Sequence, residues 1–174
     1  MNEDSKTVKL TNWNNVKIKY ANAAIVDDTT INQRRNAIKN DNARELVFQK
    51  NIYWADLGEN IGHELNKIRP VLVVSKNIYN RTGNVVVIPL STGPVLANKH
   101  MLNCWYKLYK RTYPQLERDS ILKTEAIRSI SIERLTNSKD ISPSETDVSN
   151  IVSVCHVNSQ DWKRIQGKIK YLIN

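Results

Sequence analysis

Apolar and polar positions follow two different periods along this chain. Near the N-terminus Leu10, Trp13, Val16, Tyr20 and Ala24 recur at steps of three and four, which predicts a helix with Thr11 as a candidate cap. A second helical pattern follows Asp28-Thr29-Thr30, with Ile31, Ile38, Leu46 and Val47 on one side and Gln33, Arg34, Arg35, Asn40 and Arg44 on the other. From residue 52 onward the period changes. Ile52 to Leu57, Pro70 to Ser75 and Val85 to Leu90 are short runs of strong strand formers. The last two are apolar at successive positions, as expected of strands covered on both faces. Thr82-Gly83-Asn84 is a turn signal that joins them as a long hairpin. Ser120 to Ile127 predicts a further strand, and Arg128 to Leu135 a short strand or helical turn. Ser142-Pro143-Ser144-Glu145 has the form of a helix start. The final helix carries Trp162, Ile165, Ile169 and Leu172 on one face, with Ser159 as its expected cap. The first fifty residues hold neither glycine nor proline, which separates a helical N-terminal segment from a turn-rich body. The expected division is an extension over residues 1–49 and a domain over residues 50–174.

The 174 residues are 40% hydrophobic and 25% charged, which excludes collagen-like, mucin-like and wholly disordered classes. Lys+Arg is 26 against 17 Asp+Glu, a net +9 that favours a polyanionic partner: nucleic acid, an anionic membrane or an acidic protein. Residues 1–50 hold nine basic and six acidic side chains, so +3 of that charge lies in residues 1–50 and +6 in residues 51–174. Met1-Asn2-Glu3-Asp4-Ser5-Lys6 does not read as a secretory signal, and no apolar run approaches the ~20 residues of a membrane helix. The expectation is therefore a cytoplasmic protein without a membrane partner, with Cys104 and Cys155 as reduced thiols. His63, His100 and His156 are scattered, and no Cys/His spacing suits a metal, so neither cofactor nor metal is expected.

Four blocks in order carry a family resemblance. Ile52-Tyr53-Trp54-Ala55-Asp56-Leu57 is followed by Lys67-Ile68-Arg69-Pro70-Val71-Leu72-Val73-Val74, then by Ile88-Pro89-Leu90-Ser91-Thr92. The fourth block runs from Leu116-Glu117-Arg118-Asp119-Ser120 through Glu125-Ala126-Ile127-Arg128 to Glu133-Arg134-Leu135. The pattern resembles the MazF/PemK family of toxin endoribonucleases, well over residues 50–136 and loosely over the C-terminal helix. The resemblance implies an α+β fold with a mainly β core: a small, curved, SH3-like barrel with packed C-terminal helices, here carrying the N-terminal helical extension. It implies a homodimer that cleaves single-stranded RNA without metal, leaving a 2′,3′-cyclic phosphate and a 5′-hydroxyl. It also implies a cognate antitoxin whose acidic tail covers the RNA groove.

Cleavage by the substrate's own 2′-hydroxyl needs a proton acceptor, a proton donor to the leaving oxygen, and a group that holds charge on the phosphate. Arg69 suits the last, because its always-charged guanidinium is a fork of donors matched to phosphate oxygens. Pro70 restricts Arg69 to extended backbone. Either Ser91 or Thr92 can offer a hydroxyl to phosphate or to the 2′ oxygen. Glu64 matches an acidic position of the family and is a candidate to accept a proton or to orient Arg69. The resemblance carries Ser120 as an RNA contact, and Lys67, Arg118 and Arg128 are further candidates for binding RNA. Arg118 with Asp119 reads equally as a structural ion pair, and Arg128 as a brace of the barrel. His63, in the same loop as Glu64, titrates near neutrality but is not needed. Tyr106, Tyr109 and Tyr113, interleaved with Lys107, Lys110 and Arg111, read either as an RNA-stacking patch or as a solvated face. Two positions depart from the family: Ala126 stands where relatives carry a glutamine that touches RNA, and Lys50-Asn51 replaces Gly-Asp. The first bears on sequence preference rather than on the reaction. A gyrase-directed toxin of the same fold and a non-catalytic nucleic-acid-binding module are the competing functions.

Overall fold

A computed structural model describes residues 3–24, 47–91, 101–141 and 151–174. Thr92, the second helical pattern before residue 47 and the Ser142 helix start lie outside the described residues. The chain runs α1 (Glu3–Ala24), β1 (Asn51–Asp56), β2 (Ile68–Val73), α2 (Asn77–Asn80), β3 (Asn84–Ser91), β4 (Tyr106–Leu108), β5 (Ser120–Leu122), β6 (Arg128–Ser131), β7 (Leu135–Thr136), β8 (Cys155–His156) and α3 (Ser159–Ile173). The strands form one antiparallel sheet in the order β4-β5-β3-β2-β1-β7, with β6 added on β3 and β8 on β1. The architecture is the expected mainly antiparallel sheet with helices, and the sheet is open rather than closed on itself.

Strand β3 explains the bend. Its first half, Asn84 to Val87, pairs with β6, while its end, Leu90 and Ser91, pairs with β5. One strand thus serves two partners on one edge, and the sheet must turn between them. The two-faced apolar pattern is also explained. Ile52, Leu72, Ile88 and Leu90 pack on one face with Leu122, Trp162 and Ile165. Their neighbours Tyr53, Ala55, Val71, Val73, Val85 and Val87 pack on the other with Leu57, Ile130 and Leu135. Alternation at period two feeds both cores from the same strands.

Three local expectations are corrected. Strand β5 stops at Leu122, and Thr124–Ala126 form a 3-10 turn instead of continuing it. The Thr124 hydroxyl, fully buried, donates to the Cys104 carbonyl at 2.6 Å, a side-chain bond that competes with strand pairing. The cap of α3 is Asn158, one residue earlier than expected, whose side chain accepts from the Asp161 amide. Helix α1 starts at Glu3, so Thr11 lies inside it. Within its stripe Trp13 is buried, Val16 is half-buried and Leu10 is exposed. No described helix is long and apolar enough to cross a membrane.

Candidate active site

The site grows from the β1–β2 connection. Its neck is a pair of backbone bonds, Leu57 N to Lys67 O at 3.1 Å and Lys67 N to Gly58 O at 2.8 Å. Gly58 N also donates to Asp56 Oδ1 at 2.8 Å. Lys67 holds a φ of 64°, a left-handed conformation that costs a residue with a side chain roughly 1–2 kcal/mol. That kink returns the chain to the sheet at Ile68 and sets Arg69 on β2, opposite Ala55 of β1.

Arg69 is half-buried. Its Nε donates to the Asn66 carbonyl at 2.7 Å and its Nη1 to the Leu90 carbonyl at 3.4 Å. No described carboxylate forms an ion pair with it. Burial pulls the guanidinium below its ordinary value, the mark of a cation stripped of water without a counter-charge. The two carbonyls fix the orientation of the fork and leave charge available for an incoming anion.

Ser91 ends β3. The β2–β3 pairing ends with Val71 opposite Pro89, and Arg69 Nη1 reaches the carbonyl of Leu90, the residue before Ser91. On the other side Ser91 pairs with Ile121, and Ile121 pairs with Lys107. Directly paired residues share a face. Ser91, Ile121 and Lys107 therefore form one row across β3, β5 and β4, which Arg69 extends at its β2 end through the Leu90 carbonyl, with Lys107 about 10 Å from Ser91, two strand spacings away. Sequence spacing alone reads Lys107 as part of a tyrosine-lysine patch. Its place in this row depends on strand register, which sequence spacing does not carry.

The remaining candidates separate. Glu64 is exposed and meets Arg128 at 3.5 Å, which joins the β1–β2 loop to β6. Lys67 is exposed beside the neck. Arg118 is exposed, and its neighbour Asp119 pairs with Lys107 at 3.0 Å and accepts from the Lys110 amide at 2.9 Å, not with Arg118. Those two bonds hold the Asp119 carboxyl below the usual range, first the amide and then the lysine. Ser120 is buried and its hydroxyl donates to the Arg118 carbonyl at 3.1 Å, so it is not on the open face. The tyrosines split as well. Tyr106 and Tyr113 donate to Asp161 of α3, whereas Tyr109 is exposed with Lys107 Nζ at 4.8 Å and the Arg111 guanidinium at 4.9 Å from its ring centre. His63 is exposed. Both cysteines are buried and unbridged, and burial pushes the Cys155 thiol up to about 11, far from a nucleophile's range.

Replacing Ser91 with alanine removes a hydroxyl next to Arg69 while leaving the strand intact. The expected result is a fall in kcat of about tenfold with an unchanged melting temperature, read by cleavage kinetics and thermal denaturation.

Residues 48–173 match a family described as PemK-like, MazF-like toxin of type II toxin-antitoxin system. The chain is 33% identical over 92 residues to Endoribonuclease EndoA of Bacillus subtilis (strain 168), an overlap of 53% of this chain and 77% of that protein. Among solved structures, MazF (Form-I) from Deinococcus radiodurans is similar with a TM-score of 0.53 and 18% identity, covering 73% of this chain and 96% of that one. MazE-MazF (Form-III) from the same organism gives 0.50 and 16%, covering 74% and 96%. At such identities the structural likeness is one of fold. The sequence match spans the whole described sheet and reaches to the end of α3, further than the four blocks alone, and on that extent the chain belongs to the PemK-like, MazF-like toxin family of type II toxin–antitoxin systems.

Proposed function

We propose that this chain is an endoribonuclease toxin that cuts single-stranded RNA internally. The observation that supports it best is Arg69: half-buried, aimed by two carbonyls, without a described counter-ion and beside the Ser91 strand end. In the reaction the 2′ oxygen attacks the adjacent phosphorus, a 2′-O–P bond forms and the P–O5′ bond breaks. The 2′ proton leaves to a base, and the departing 5′ oxygen gains a proton. Arg69 binds the two negative oxygens of the phosphorane and strengthens that contact as charge accumulates. Ser91 or Thr92 orients the phosphate. Glu64 accepts the proton or orients the arginine, and Lys67, Lys107, Arg118 and Arg128 bind the strand's phosphates. The substrate supplies its own nucleophile, so the scheme uses no cofactor and no metal. Family membership further supports a cognate antitoxin, and an acidic antitoxin segment fits the Arg69–Lys107 row. The toxin acts as a cytoplasmic homodimer, with residues 1–49 as an added extension to the domain of residues 50–174.

Incubating the purified, antitoxin-free protein with a long single-stranded RNA in EDTA tests this. Discrete cuts with 2′,3′-cyclic phosphate and 5′-hydroxyl ends are expected, and their rate should fall steeply with added salt as phosphate contacts are screened. Intact RNA in the presence of folded protein overturns the reading.

A further inference from the structure

Trp13 is the buried side chain of α1 among those described, and it lies against the neck of the β1–β2 loop. A Cβ added at Gly58 would stand 2.1 Å from Trp13 Cζ2 and 2.5 Å from Cε2, so the indole rests on glycine backbone that no other residue could offer. Gly58 also has a φ of +79°, a conformation that suits glycine. Arg134 closes the other side. Its guanidinium lies 5.5 Å from the Trp13 ring centre, and its Nη1 donates to the Asp56 carbonyl at 3.3 Å. Lys17 of α1 approaches the same ring at 5.6 Å.

The ring is thus wedged between Gly58 at the start of the loop and an arginine from the turn before β7. What it presses on is not incidental structure. Gly58 O accepts the Lys67 amide, Lys67 takes the strained left-handed turn, and Asn66 supplies the carbonyl that aims Arg69 Nε. Neck, kink and arginine are consecutive links. Movement of Gly58 therefore reaches Arg69 through two hydrogen bonds and three residues of chain. Among the described residues the loop's internal bonds are Asn60 Nδ2 to Leu65 O and Glu64 N to Ile61 O, Leu57 is buried in the core with Leu65 packed against it, and the tie of the loop's exposed part to β6 is the surface pair of Glu64 with Arg128, a kind of contact worth little by itself.

We propose that Trp13 is a positioning residue, and that the N-terminal helix serves the site by clamping the neck of the loop that presents Glu64, Lys67 and Arg69. The inference rests on the ribonuclease reading for its catalytic consequence, and on packing alone for its structural one. It gives the extension a role in catalysis without contact with substrate.

The test uses the full-length protein and the variants W13L and W13F. Leucine keeps an apolar anchor for α1 and removes the flat ring; phenylalanine restores a ring. Hydrogen exchange of peptides covering residues 57–67 should accelerate about tenfold or more in W13L as the neck opens locally. Single-turnover cleavage of single-stranded RNA should slow roughly 10- to 100-fold in kcat with KM little changed, the signature of a misplaced catalytic group. W13F should recover most of both. Wild-type exchange in that loop, or an unaltered kcat in folded W13L, overturns the proposal. If wild-type protein leaves RNA intact, the ribonuclease reading fails while the exchange comparison still decides the clamp.

Discussion

Replacing Arg69 with alanine is expected to lower kcat for RNA cleavage by roughly 10²- to 10³-fold, the usual cost of removing a preorganised donor from a developing oxyanion. The fall should appear in single-turnover rates, since the interaction strengthens in the transition state more than in the bound substrate. Stability should change little or rise, because a half-buried cation without a described counter-charge is lost along with its desolvation cost. Arg69→Lys sharpens the point. Lysine keeps the positive charge but cannot donate at once to the Asn66 and Leu90 carbonyls and to two phosphate oxygens. It should recover RNA binding more than rate. An Arg69→Ala protein that cleaves at the wild-type rate would remove Arg69 from the mechanism.

The second large effect concerns stability. Asp161 of α3 accepts from the hydroxyls of Tyr106 and Tyr113, each at 2.5 Å, and from Asn158 Nδ2 at 3.0 Å. Asn158 in turn accepts the Asp161 amide at 2.8 Å, a reciprocal cap of the helix. One carboxylate therefore ties the last helix to β4 and to the turn after it. Asp161→Ala leaves two phenols without their acceptor and should cost about 3 kcal/mol, from charged hydrogen bonds of ~1.5–3 kcal/mol each less what water regains. For a chain of this size that lowers the melting temperature by roughly 6–12 °C. The carboxyl's pH dependence follows. Burial raises it, but the bonds from Tyr106, Tyr113 and Asn158 outweigh burial and hold it below the ordinary carboxylate value. A depressed folded pKa means the contribution is fully present above the unfolded value of ~3.9 and is lost as pH falls through the lower folded one. Wild-type and Asp161→Ala melting temperatures should therefore converge in acid and stay apart at neutral pH. A constant gap from neutral pH down to pH 2 would show that the carboxylate charge is not what holds the helix. Both phenols are shifted the other way, upward, first by burial and then by the carboxylate.

Much of this was legible before any coordinates. The strands over Ile52 to Leu57 and Val85 to Leu90 declare themselves because both faces are filled, and α3 does so through Trp162 and Ile165. Arg69 and Ser91 become candidates through the order of four blocks, not through any property of an isolated arginine or serine. What spacing could not reach were facts of pairing between distant segments. Lys107 enters the row with Ser91 only through β5, and Tyr106 and Tyr113 part from Tyr109 only because Asp161, some fifty residues later, claims their hydroxyls. The family resemblance carries Ser120 as an RNA contact, yet β5 turns it inward. In α1 the helical period is as expected. Trp13 alone of its described stripe is buried, because what it meets is one glycine rather than a broad apolar wall.

Strands that are apolar on both faces raise a question of alignment. Sliding such a strand by one residue exchanges its faces, and hydrophobicity alone penalises the exchange weakly. The penalty in this sheet falls on its few polar members. A one-residue slip of β2 would carry Arg69 to the face of Ile52, Ile88 and Leu90, where an uncompensated guanidinium is prohibitive. At the other end of the hairpin, Ser75 Oγ accepts the Val86 amide at 3.0 Å and donates to buried Asn80, which in turn reaches the Val47 carbonyl. The charge proposed to meet a phosphate is thus also the mark by which two otherwise interchangeable surfaces are told apart, so a mispaired hairpin would forfeit the candidate site and its stability together.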